Sequence, residues 1–279
     1  MSNSRIRKIA PDGTVTTFTG GAPGLVNGPL APARFGDPSD VAIDSQGNLY
    51  VADLSFHCIR KITSGGMVST LAGSGVAGFA DGPGTTAKFN YPIGIAVDAQ
   101  GNVYVAEDDG NRIRKVLPNG TVSTIAGTGQ SGFADGPGSS AQFTSPEGIA
   151  VDSQGTLYVA EFGGNRIRKI TADGTVSTLA GNSARGAADG TGGGAQFYGP
   201  RGVTIDSHGD LLVADAGNCC IRKVTTDGVV STVAGTKQYG YADGSVGTAQ
   251  FWPPTGIAAG AKGVFYVTEN TRLRKIVAQ

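Results

Sequence analysis

The residues best suited to chemistry in this sequence are carboxylates at a near-constant spacing. Asp53, Glu107, Glu161, Asp215 and Glu269 each end a short apolar run. Five such oxygens drawn together could hold a cation. A second acidic series stands in Ala80-Asp81-Gly82, Ala134-Asp135-Gly136, Ala188-Asp189-Gly190 and Ala242-Asp243-Gly244, with Val26-Asn27-Gly28 in the first copy. Histidine chemistry is limited to His57 and His208. No nucleophile–histidine–acid set and no phosphate-cradling glycine loop is visible.

Each acid also has a structural reading. Five unpaired carboxylates facing one another repel, so the first series is expected to pair with loop amides or with a strand arginine such as Arg112 or Arg166. Asp-Gly reads as a tight turn with no second carboxylate beside it. The phenylalanine downstream (Phe35, Phe89, Phe143, Phe197, Phe251) reads as a plug between repeated units.

The elements that must position these residues repeat. Ile-Arg-Lys stands at Ile6, Ile59, Ile113, Ile167 and Ile221, with Leu-Arg-Lys at Leu273, giving spacings of 53, 54, 54, 54 and 52 residues. Such a period marks a repeat architecture. In the unit after residue 93, Gly94-Ile95-Ala96-Val97-Asp98 is a first strand and Ala99-Gln100-Gly101-Asn102 a turn. Val103-Tyr104-Val105-Ala106-Glu107 is a second strand and Arg112–Val116 a third. Asn119-Gly120 signals a hairpin into Thr121–Ala126, the fourth. We call these strands a, b, c and d. Four short antiparallel strands bury both faces only when neighbouring units stack on them.

Composition bounds the rest. Lys plus Arg and Asp plus Glu both number 22, so bulk charge does not drive nucleic-acid or anionic-membrane binding. The 46 glycines recur at fixed repeat positions and mark turns. The Arg-Lys pairs lie on strand c, mid-unit and evenly spread, where long stems can cover neighbouring blades. Cys58 and Cys220 share one repeat position three units apart and are not expected to bridge; a vicinal Cys219–Cys220 disulfide is rare. No apolar run is long enough for a transmembrane helix, and Met1–Arg5 is not a signal peptide. The start enters directly into the repeat, as in a trimmed chain. The cysteines leave the compartment open, with an extracytoplasmic or secreted setting the expectation.

Gly-Ile-Ala-Val-Asp, Tyr-Val-Ala-Glu, Asn-Arg-Ile-Arg-Lys and Val-Ser-Thr-Ile-Ala-Gly together resemble NHL repeats, the β-propeller family, and the resemblance covers nearly the whole chain. It implies an all-β fold, a β-propeller of four-stranded antiparallel blades. Family members include scaffolds, receptor ectodomains, RNA binders and a few lyases. The expected layout is a single domain, 1–279, with units near 39–73, 94–127, 148–181, 202–235 and 256–279 plus 5–20. Family propellers usually have six blades. Counting strands here gives five, closed by Thr14–Thr19 pairing with the C-terminal blade, Arg5–Ile9 competing with Leu273–Ile276 for one position. Six blades, one incomplete, is the alternative. The last unit is degraded, with Gly260 where Asp44, Asp98, Asp152 and Asp206 stand elsewhere.

Positions that differ between units are the candidates for a site. The residue after the proline is Ser39, Ile93, Glu147, Arg201 or Thr255, expected near the channel. The b–c loops carry Phe56, His57 and Phe162, expected as exposed contact aromatics. Tyr198 and Trp252 stand beside the repeated phenylalanine. The reading is a non-catalytic binding or scaffold propeller, expected to be monomeric, with no cofactor, metal or nucleic acid expected, recognising a protein, peptide or glycan on its top face, where the b–c loops and the segments between blades open. A metal-assisted lactonase or lyase at the channel mouth is one alternative, with Glu147 its only channel acid. The zinc-dependent lyase branch uses several histidines that this chain lacks. A purely architectural domain of a larger protein is the other.

Overall fold

The computed structural model describes residues 3–261 and 263–277. Met1, Ser2, Lys262, Ala278 and Gln279, which fall within the first and last stretches of the sequence reading, lie outside the described residues.

The repeat folds as five blades of antiparallel strands in sequential order, preceded by a hairpin. Blade 1 holds Pro38–Ile43, Leu49–Asp53, Cys58–Ile62 and Met67–Ala72. Blade 2 holds Pro92–Val97, Val103–Glu107, Arg112–Val116 and Val122–Ala126. Blade 3 holds Pro146–Val151, Leu157–Glu161, Arg166–Ile170 and Thr175–Gly181; blade 4 holds Pro200–Ile205, Leu211–Asp215, Cys220–Val224 and Val229–Ala234. Blade 5 stops at three strands among the described residues, Gly256–Ala259, Val264–Thr268 and Leu273–Val277. The chain resolves into two compact units, 1–124 and 125–279.

One pairing differs from the sequence expectation. Among the described residues, Val15–Gly20 pairs with Arg5–Ile9 as a two-stranded sheet, in place of the expected pairing with the C-terminal blade. The connection is a short turn in which Asp12 Oδ1 accepts from the Thr14 amide at 2.9 Å, and a local hairpin closes at a far lower entropy cost than a distant pairing.

Within each unit the cores lie between blades. Tyr50, Ala52, Ile59 and Ala72 of blade 1 meet Ile95, Val103, Val105 and Val122 of blade 2 around Phe89. In the second unit, Tyr158, Ala160 and Ile167 meet Val203, Leu211, Val213 and Val230 around Phe197. The phenylalanine does plug this gap. Strands a approach so closely that a Cβ at Gly148 would stand 2.1 Å from the Arg201 carbonyl oxygen, which is why glycine recurs there.

The strand c arginine organises every blade. In blade 2 the fully buried Arg114 donates to Glu107 at 2.9 Å, to Asp81 at 2.6 Å, and to the carbonyls of Lys88 and Ala80 at 3.0 and 2.9 Å. Its guanidinium lies 5.1 Å from the Phe89 ring centre. Asp81 is itself clamped by Thr124, whose amide and hydroxyl both donate to it. Arg168 and Arg222 repeat the arrangement with Glu161 and Asp135, and with Asp215 and Asp189. Arg274 does so with Glu269 and Asp243. Arg60 faces Asp53 at 3.5 Å and uses Asn27 in place of the second acid, at 2.7 Å.

This corrects three expectations. The acids at the end of strand b pair with Arg114 and Arg168, not with Arg112 and Arg166, because the strand alternation turns Arg114 and Arg168 inward. The Asp of Ala-Asp-Gly is more than a turn residue, since it shares an arginine with a second carboxylate. The arginine stem does not spread over a neighbour but is buried whole. Desolvation pushes the carboxyls of Asp53, Glu107, Glu161, Asp215 and Glu269 up, against the pull of the arginine.

The a–b turn is set by Asp98, whose Oδ1 accepts from the Gln100 and Asn102 amides and whose Oδ2 accepts from Asn102 Nδ2 and the Tyr104 hydroxyl. Desolvation opposes ionisation, but these bonds outweigh it and hold the carboxyl below its usual range.

Truncating one partner of a buried ion pair leaves the other charge stranded, so Arg114→Ala should cost about 3–5 kcal/mol. Asp81→Asn should cost about 1 kcal/mol or less, since Asn27 already serves in blade 1. Chemical denaturation of both variants checks the pair. The Asp98 carboxyl is depressed on folding, so its contribution is present above the unfolded value and lost as pH falls through the folded one. Asp98→Asn should therefore lower Tm at pH 7 and lose that difference progressively below pH about 3.8, as thermal melts across pH will show.

Candidate binding surface

Within the first unit, Ser39 donates its hydroxyl to the Ile93 carbonyl at 2.9 Å and so joins strand a of blade 1 to blade 2. Beside it stands Asp40, where the other blades have Gly94, Gly148, Gly202 and Gly256. Its Oδ2 accepts from the Ile95 amide at 3.0 Å. That break in the glycine column is legible in the sequence one residue beyond Ser39.

Phe56 is half-buried, where the sequence suggested an exposed ring. It packs against Gly36, where a Cβ would stand 2.7 Å from the ring. His57 holds a left-handed backbone at φ 46°. Its Nδ1 accepts from the Tyr91 amide at 3.3 Å, and its ring meets Tyr91 edge to face at 4.9 Å. Desolvation lowers its pKa, with Asp53 opposing, and favours the neutral ring that this bond requires.

Within the second unit, three predicted residues come together. Glu147 pairs with Arg201 at 2.9 Å, and the Arg201 guanidinium stacks 4.3 Å from the centre of Phe162. The acid and the base singled out by their differing chemistry are thus partners. Phe162 is half-buried against Gly199, where a Cβ would be 2.9 Å from the ring. Thr255 is not part of this group; its amide and hydroxyl turn to Thr268.

The more open aromatics lie next to the repeated phenylalanine. Tyr198 rests on Gly217, with the Arg185 guanidinium 4.9 Å from its ring centre. Trp252 is 49% exposed and meets Tyr239 edge to face at 5.9 Å. Trp252, Glu269, Asn270, Thr271 and Arg272 line a hollow of about 220 Å³. Tyr241 stacks under Arg272 at 3.9 Å. Tyr91, Tyr239 and Tyr241 went unnoticed in the sequence, although they too vary between units.

The acids at the ends of strand b are engaged by their arginines and by loop amides such as Asn90 on Glu107 and Tyr198 on Asp215. Among the described residues, no group of three or more His, Cys, Asp or Glu side chains is placed to hold a metal ion. His208 lies exposed in the a–b turn, 3.9 Å from Asp206. Cys58, Cys219 and Cys220 are buried free thiols.

Repeated four-stranded blades, each closed by a buried arginine, define a β-propeller repeat protein. The NHL-repeat model matches residues 35–62, and the phytase-like model, described as esterase-like activity of phytase, matches residues 93–269. The chain belongs to the NHL-repeat propellers and, through residues 93–269, to the phytase-like family. NHL repeat-containing protein 2 of Bos taurus is 30% identical across 98% of this chain and 43% of its own length. The chain spans less than half the length of such curated relatives. A Bacteroides thetaiotaomicron protein of unknown function shares the fold with a TM-score of 0.70, at 22% identity over 97% of this chain and 63% of that one. A streptogramin B lyase does so with a TM-score of 0.60, at 16% identity over 98% and 72%.

Because both rings are seated on glycines, Phe56→Ala combined with Phe162→Ala should cost a few kcal/mol, roughly 1–3 per ring for half-buried aromatics. A urea titration showing no loss would return both rings to the exposed contact surface.

Proposed function

We propose that this propeller is a non-catalytic binding module whose macromolecular ligand, a protein, peptide or glycan, docks on the loops around Trp252 and Tyr198. The observation that carries this reading is the state of Trp252: half exposed, braced by Tyr239, and flanked by the polar groups of Glu269, Asn270 and Arg272. A braced aromatic offers a large contact area at small entropic cost, and an adjoining polar rim orients what lands on it. The Glu147–Arg201–Phe162 group supplies a second fixed feature in the same unit.

A second reading, an esterase- or lyase-type enzyme, is favoured by the phytase-like match and by the fold shared with the lyase. In this chain its acid would be Glu147, which is already matched by Arg201. A charge-neutralised carboxylate is a poor general base, so binding is the better-supported function.

Trp252 is the only tryptophan, so its emission reports on the proposed surface directly. Titration with glycan fragments and with peptide pools should give a saturable shift or quench with one ligand class, and Arg272→Ala should weaken it. Saturable binding that leaves the emission unchanged would place the ligand elsewhere. Turnover of an aryl ester or a phosphate ester that is lost in Glu147→Gln would favour the enzyme.

A further inference from the structure

The loop between strands b and c is shorter in blade 5 than in the other blades. The buried acid and its arginine stand seven residues apart in Glu107–Arg114, Glu161–Arg168 and Asp215–Arg222, but five apart in Glu269–Arg274. The clamp survives this shortening, with Glu269 and Arg274 2.9 Å apart. The groups around it change.

In blades 2 and 3 the loop holds the outer arginine of strand c. Arg112 donates to the Gly110 carbonyl at 3.2 Å and Arg166 to the Gly164 carbonyl at 3.0 Å. Each also stacks on a half-exposed ring, Phe79 or Phe133. Arg272 keeps the stack, 3.9 Å from the centre of Tyr241. Its loop closes as a tight turn instead, the Glu269 amide donating to the Arg272 carbonyl at 2.9 Å. Among the described residues, the Arg272 guanidinium has no hydrogen-bond or ion-pair partner.

The shortening also uncovers the residue that follows the repeated phenylalanine. In blades 3 and 4 a loop glycine lies against it: a Cβ at Gly163 would stand 2.7 Å from Thr144, and one at Gly217 2.5 Å from the Tyr198 ring. In blade 5 that residue is Trp252, and a hollow of about 220 Å³ separates it from the loop 269–272. The Trp252 amide is fixed on the Glu269 carboxylate, and Tyr239 braces the indole. Glu269 is 5% exposed, and its Oε2 has no hydrogen-bond partner among the described residues. The hollow therefore combines an aromatic wall, an unmatched acceptor, the Asn270 amide, the Thr271 hydroxyl and a cation with open donors.

These groups define the ligand. The volume is below the roughly 300–1,000 Å³ of drug-sized pockets, so it suits a single ring. A pyranose turns an apolar C–H face to an indole while its hydroxyls donate to a carboxylate oxygen such as Oε2. A carboxylate on that ring matches the guanidinium fork with two parallel bonds. The charge of Glu269 is already balanced by Arg274. An acidic peptide side chain would meet Arg272 but leave the indole and Oε2 unmatched.

Resting on the binding surface proposed above, we infer that the hollow of blade 5 takes a uronate, a pyranose bearing a carboxylate, from an acidic glycan. Its C–H face lies on Trp252, one hydroxyl donates to Glu269 Oε2, and its carboxylate accepts from Arg272.

The test follows Trp252 emission and calorimetry during titration with a galacturonate trimer, the neutral galactose trimer and a triglutamate peptide. The galacturonate trimer should give a saturable change, and the neutral trimer should bind about tenfold or more weakly, the worth of a charge-assisted hydrogen bond. Arg272→Gln should erase that preference. Exchanging Asn270–Thr271 for the four residues 108–111 of blade 2 should fill the hollow and abolish binding, with folding checked by urea titration. Equal binding of the two sugars, tighter binding of triglutamate, or a preference that survives Arg272→Gln would overturn the uronate and leave the binding surface standing. No binding of any of the three would overturn the uronate alone. Binding seen by calorimetry with the emission unchanged would overturn both.

Discussion

A buried guanidinium holds each blade of this protein together. Removing a charge from water costs several kcal/mol, and a carboxylate repays it only when the remaining donors are also satisfied. Arg114 meets that condition through two acids and two carbonyls, supplied by three separate pieces of its blade. The site is not fully saturated. Nε of Arg60, Arg114, Arg168 and Arg222 is buried without a hydrogen-bond partner among the described residues. The phenylalanine beneath each guanidinium provides the remaining contact, a ring face toward the cation. Stacking, charge and hydrogen bonding thus meet at one residue, and the long segment between blades is tied to the sheet there.

The fold was legible because its signals are periodic. The recurrence of Ile-Arg-Lys, the Asn-Gly hairpin and the alternation of strand b all sit at fixed offsets, so five blades and their strand order follow from spacing alone. The arginine network was only half legible. Two arginines stand two residues apart on strand c, and both satisfy the idea of an acid-pairing base. Which one faces inward depends on the phase of the strand, and Arg112 lost to Arg114. The second acid was harder still, because Asp81 lies 33 residues from Arg114 and in a segment that reads as a turn. Register across such a distance is a tertiary fact.

The candidate surface was less legible for a related reason. Variation between units drew attention to Glu147, Arg201 and Phe162, which the fold brings together. It could not tell an exposed ring from one that rests on a glycine of the facing loop. Phe56 on Gly36, Phe162 on Gly199 and Tyr198 on Gly217 are complementary pairs, large against small. A pairing rule across loops needs two positions read jointly, and neither member stands out alone. Asp40 is the converse case, a single substitution in a glycine column whose effect, an acceptor for the Ile95 amide, is local and simple.

The reach of the arginine clamp has a consequence for how such a chain can be rebuilt. Its parts in one blade run from Asp81 to Thr124, a separation of 43 residues, inside a period of 54. A cassette cut in the loop after strand d and before Ala-Asp-Gly carries the whole clamp with it, and a cut within a sheet divides it. Gain or loss of entire cassettes therefore preserves every buried charge balance, whatever the number of blades. The repeat boundary that matters for recombination is then the electrostatic one, and it is offset from the boundary that the strand pattern suggests to the eye.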